Sequence, residues 1–164
     1  MNWLTAIDSR LSRWAMYVAC LGLVGLVAVV DYGVTLRYGF NHAPPFVEQV
    51  ALLLVICVAM FGAAAGVRDE GHIGMETLVS LMSEKVQHWV GIVVGLLTIV
   101  FAGLLVYGCT LMAISVHGST IPTLGISEAF RYLPPVIAGV FIILFSIEHL
   151  VATFTGKKVE PSWH

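Results

Sequence analysis

Ionisable side chains are scarce in this chain, so the position of each one limits the chemistry open to it. The densest polar stretch is Arg68-Asp69-Glu70-Gly71-His72-Ile73-Gly74-Met75-Glu76-Thr77-Leu78, set between two long apolar runs. A polar knot of this kind at a membrane surface, followed by an amphipathic segment, is where the chain should meet a partner. Glu148 is the second candidate. It follows Leu144-Phe145-Ser146-Ile147, and beyond its neighbour His149 come Leu150-Val151-Ala152. An ionisable group in such a run is costly unless it is paired or faces water. It reads either as a carboxylate coupled to a proton or substrate, or as one half of an ion pair with Arg68 or Lys85, which fall at similar depth. Glu48 belongs to the first turn of a helix, where the dipole favours a carboxylate.

Six histidines invite a haem reading: His42, His72, His88, His117, His149 and His164. A membrane haem-b bundle needs two on facing helices at one depth, and only His88 with His149 fits that demand. Cys20, Cys57 and Cys109 stand singly in apolar runs, so no dithiol or zinc motif forms. No nucleophile–base pair, phosphate loop or metal-ligand cluster is spelled out either. These residues therefore point to no catalytic, cofactor or metal site, and to no enzyme.

The elements that must position these groups are membrane helices. The chain has 164 residues, of which 59% are hydrophobic and only 11% charged, whereas a soluble domain carries about a quarter charged residues. Its net charge of −2 excludes a nucleic-acid partner, which needs a basic face. Apolar runs over 14–36, 46–67, 86–116 and 132–154 each meet the roughly 20 residues needed to cross a bilayer. Alternation typical of a barrel is absent, so the fold class is an all-α integral membrane protein with four transmembrane helices, one membrane domain over 1–164.

Two further segments read as amphipathic interfacial helices. In 2–13, Trp3, Leu4, Ile7 and Leu11 recur at three- and four-residue steps towards Trp14. In 72–85, Ile73, Leu78, Leu81 and Met82 alternate with Glu76, Thr77, Ser80 and Glu84. Arg10, Arg13, Arg68, Lys85, Lys157 and Lys158 share one side of a four-span protein, against Arg37 and Arg131 on the other. That bias places both termini and the central segment in the cytoplasm. Pro44-Pro45 and Pro134-Pro135 open helices two and four, and Ser127 is placed to cap a short turn before helix four. Gly62 with Gly66, and Gly91 with Gly95, are at Gly-x-x-x-Gly spacing, which lets helices approach closely in lipid, either within the chain or against a partner.

Arg68 followed by Gly71-His72-Ile73-Gly74-Met75-Glu76-Thr77-Leu78 resembles the signature of the DctQ-type small membrane subunit of TRAP (tripartite ATP-independent periplasmic) transporters. Glu48, Gly62-Ala63-Ala64 and Tyr132-Leu133-Pro134 extend the likeness over essentially the whole chain. Gln49, where many members have a second acidic residue, and Ile56-Cys57, where a Trp is common, depart from the pattern. The resemblance implies a small permease subunit in the bacterial inner membrane. Its partners would be a large membrane subunit, which it scaffolds, and a periplasmic binding protein that delivers an organic acid. The sodium gradient would be used by the large subunit, and this chain would need no cofactor. Arg68, His72, Glu76, Glu48 and Glu148 are then the polar residues expected to contact the partner or to hold the chain together. The competing expectations are a small four-helix transporter acting alone as a homodimer and a haem-b membrane anchor.

Overall fold

The structure, a computed structural model, describes residues 2–42, 44–69 and 84–155. Helix α1 runs Asn2–Gly39, α2 Phe46–Arg68, α3 Glu84–Ser115 and α4 Leu133–Thr155, with a 3-10 turn Glu128–Tyr132 ahead of α4. All four helices are long and apolar enough to cross a membrane, so the chain is an all-α, multi-pass membrane protein. His72, Glu76 and most of the expected amphipathic helix over 72–85 lie outside the described residues.

The expected division between an interfacial helix over 2–13 and a span over 14–36 is not seen; one uninterrupted helix of 38 residues takes both. No proline lies between Asn2 and Gly39, and nothing else at Arg13-Trp14 breaks the hydrogen-bond ladder. At about 1.5 Å per residue α1 is roughly 57 Å long, well beyond a hydrocarbon core of about 30 Å. Its inward face is also unlike the apolar face read from sequence. Asp8, Ser12, Ala15 and Ala19 are buried, while Trp14 is 69% exposed. These four positions follow one another at helical steps along one stripe. In a bilayer the small and polar residues turn towards protein, and the large apolar ones are left for lipid or a partner.

The helices pack side by side in the order α1, α2, α4, α3. Helix α1 lies along α2, α2 along α4, and α4 along α3, while α1 touches α4 over a smaller area. Among the described residues α1 and α3 share no substantial contact, so the four helices form an open slab rather than a closed bundle. Ala64 of α2, Ala102 of α3, and Ala138, Ile142 and Phe145 of α4 form its core. The alanines let the backbones come close, and Phe145 fills the space between them.

Glycines at two of these seams have neighbours a side chain would strike. A Cβ on Gly33 would stand 2.6 Å from Val47 Cγ1, and one on Gly139 would stand 2.6 Å from Val106 Cγ2 and 3.0 Å from Leu105 Cδ2. Of the glycines singled out by spacing, Gly95 meets Leu150 at 3.0 Å and Gly91 meets Thr153 at an ordinary 3.8 Å. Gly62 and Gly66 face open space, so among the described residues they join no helix pair. Gly139→Val should lower the stability of the purified chain by about 1–3 kcal/mol through overpacking. Gly62→Ala should leave it unchanged or slightly higher. Unfolding midpoints in detergent measure both.

Candidate functional site

The polar residues of three helices converge where α2 ends. Arg68 is the last residue of α2, a helix terminus where a cation complements the backbone dipole. It is nevertheless buried, at 2% exposure. Its Nε lies 3.3 Å from Glu148 Oε2 on α4, and its Nη1 lies 3.4 Å from Asp69 Oδ1. Glu148 is therefore paired with Arg68, one of the two cations expected at its depth. The Nε–Oε2 contact lacks hydrogen-bond geometry, so it acts chiefly through charge. In an environment of low dielectric such attraction is strong, and losing either partner is correspondingly costly.

Helix α1 completes the cluster. Ser12 donates to Asp69 Oδ2 at 3.4 Å. Asp8, 3% exposed, is buried within the field of Arg68 and Glu148. On the α4 side, His149 Nε2 lies 2.9 Å from the backbone oxygen of Arg68. A carbonyl can only accept, so this nitrogen carries the proton. That contact satisfies an acceptor which the end of α2 would otherwise leave bare. His88 instead meets Phe154 edge-on, with ring centroids 6.2 Å apart. The two histidines weighed as a haem pair are thus engaged with other groups.

The cluster holds two of the five polar residues singled out by sequence, Arg68 and Glu148. Asp69 belonged to the polar stretch read from sequence and His149 was read only as a candidate haem ligand, whereas Asp8 and Ser12 were missed. The signal for Asp8 and Ser12 was their four-residue spacing on one helical face, masked by the stronger apolar pattern of the same segment. Glu48 is remote from the cluster. It is exposed in the first turn of α2, and it makes no ion pair among the described residues. Near it, Arg131 donates to Gln49 Oε1 at 3.2 Å and to Glu128 Oε1 at 3.4 Å. This ties the connection before α4 back to the start of α2. Ser127 caps that connection as expected, accepting from the Ala129 N–H at 3.3 Å.

The arrangement is a clamp between helices. Its charges are turned towards one another at a single depth, and the core beside it is closed by alanines and Phe145. The family model described as the DctQ component of tripartite ATP-independent periplasmic transporters matches residues 26–156. The chain belongs to the DctQ family. Two Haemophilus influenzae proteins named as TRAP transporter small permease proteins are similar along their length. One is 26% identical over 144 residues, covering 86% of this chain and 87% of the relative. The other is 23% identical over 140 residues, covering 85% and 87%. A longer Haemophilus influenzae protein, named the sialic acid TRAP transporter permease protein SiaT, is 27% identical over 166 residues. That match takes in 94% of this chain but only 25% of the relative. The chain is thus a membrane component of a TRAP transporter, as the motif around Arg68 indicated.

Within this DctQ-family chain the clamp should matter first for folding. Glu148→Gln should destabilise the purified protein by about 3 kcal/mol, because it leaves the buried guanidinium short of its counter-ion. The apolar double replacement Arg68→Met with Glu148→Leu should recover most of that loss. Equilibrium unfolding in detergent compares the two. A double variant no more stable than Glu148→Gln would show that the pair does more than neutralise charge.

Proposed function

We propose that this chain is the small permease subunit of a TRAP importer in the bacterial inner membrane. In this reading it scaffolds a large membrane subunit, which moves an organic acid delivered by a periplasmic binding protein and driven by the sodium gradient. Both termini and the segment after α2 face the cytoplasm, in keeping with the distribution of Lys and Arg.

The family match is the observation that carries this reading. The relative named SiaT supports it, because a region like this chain makes up a quarter of that longer permease protein. The fold is consistent with a support role. Glu148, the carboxylate whose position suits a coupling group, is paired with Arg68, and the open slab leaves broad apolar surfaces for another membrane protein. The outward face of α2 is one of them. Gly62 and Gly66 have no neighbour within 4 Å, and Ala59 and Ala63 beside them are exposed. A helix laid there could approach backbone to backbone.

Reconstitution tests the proposal. Proteoliposomes holding this chain and its host's large TRAP permease should import substrate when given the binding protein and an inward sodium gradient. Vesicles holding this chain alone should import nothing; uptake by the chain alone would favour the homodimeric transporter instead. Gly62→Leu should lower the yield of the co-purified complex several-fold while leaving the unfolding midpoint of the free chain unchanged. An undiminished yield would remove the α2 face from the interface.

A further inference from the structure

At the end of the slab away from the Arg68 cluster, a cavity of about 460 Å3 opens between the last turns of α1 and the first turns of α2. Its walls differ with depth. Arg37 and Tyr38 stand in the last turn of α1, and Glu48 stands in the first turn of α2. Val30, Val34 and Ala51 line the part further into the membrane. Seven residues separate Arg37 from Val30, about 10 Å along a helix. The groove therefore begins at the membrane surface with two opposite charges and continues inward as apolar wall.

The two charges are not used by the fold. Arg37 and Glu48 are both exposed, and among the described residues neither forms an ion pair, with the other or with any third group. Arg68 and Arg131 behave differently, since each is held by a carboxylate. A cation and an anion that share one rim without closing on each other leave room for a ligand carrying both charges. The apolar wall beneath requires that ligand to be lipophilic at its other end.

We propose that this groove binds a zwitterionic phospholipid with a free ammonium, phosphatidylethanolamine. Arg37 takes the phosphate, for which a guanidinium is suited in geometry and charge. Glu48 accepts from the ammonium. One acyl chain lies along Val30, Val34 and Ala51, and Tyr38 sits at headgroup level, where amphipathic rings are favoured. An anionic glycerol headgroup would leave Glu48 facing a phosphate with no cation between them. A choline headgroup has the cation but no N–H to donate.

Native mass spectrometry of the purified full chain, offered equal amounts of phosphatidylethanolamine, phosphatidylglycerol and phosphatidylcholine, tests the assignment. The expected preference for phosphatidylethanolamine is at least about five-fold over each of the others, the size of one exposed charge contact. Arg37→Gln and Glu48→Gln should each reduce its retention to the level of the other two lipids. Both side chains are exposed, so neither variant should shift the unfolding midpoint. Arg10→Gln, at the other end of α1, should keep the full preference. Equal retention of the three lipids by the unaltered chain overturns the proposal. So does retention unchanged in either groove variant, or a loss as large in Arg10→Gln. If the groove variants keep their lipid but lose the large permease, the groove is a protein seat instead.

Discussion

A guanidinium buried where three helices meet governs this structure. Arg68 ends α2, where its charge suits the helix dipole, yet it is closed off from solvent. A charge in that position needs nearby counter-charge, and α4 supplies Glu148 while the first residue past α2 supplies Asp69. The demand then spreads to α1. Ser12 bonds to Asp69, and Asp8 adds a carboxyl within the field of Arg68. His149 closes the arrangement by taking the last carbonyl of α2. Because these contacts lie at one level, they set the longitudinal register of α1, α2 and α4 together. Apolar packing in lipid provides no comparable register, since sliding one smooth helix along another exchanges protein contacts for lipid contacts of similar quality.

The same constraint accounts for the course of α1. An amphipathic segment at a chain terminus can lie flat on the membrane when its polar side is free for water. Here the polar side is engaged by α2 and α4. The segment therefore continues the transmembrane helix, with Trp14 on the outside and Asp8 and Ser12 within. The slab beyond the clamp is held by close approach of small residues. Ala64, Ala102 and Ala138 form the centre, and Gly33 and Gly139 admit the valines of neighbouring helices. Such a sheet of helices has two wide faces and little interior, a shape suited to supporting a larger membrane protein. Its two ends are chemically distinct. At one, charges are consumed by the fold; at the other, Arg37 and Glu48 stand apart across a groove.

Much of this was legible in the sequence by itself. Length and hydropathy determined four membrane helices, because a bilayer core demands about 20 apolar residues of any helix that crosses it. The pairing of Glu148 was legible because an acid at that depth has few options, and only Arg68 and Lys85 were within reach. The motif beginning at Arg68 identified the family, which the match over residues 26–156 established. Which face of each helix is buried was left to tertiary structure. In water, periodicity reveals the inward face because only the outward one is polar. In lipid both faces can be apolar, so the stripe ending at Trp14, read as a face lying in the membrane interface, gave no sign that Asp8, Ser12, Ala15 and Ala19 on another side are the buried set. Glycine spacing was a partial guide for the same reason. Gly91 and Gly95 do face Thr153 and Leu150 of α4, but Gly62 and Gly66, with the same spacing, meet no neighbour within the chain, whereas Gly33 and Gly139 lack that pattern and lie in the contacts. Sequence determined that helices form and that Arg68 and Glu148 need partners. The fold alone decided which surfaces meet, because that depends on distances between segments that no local pattern records.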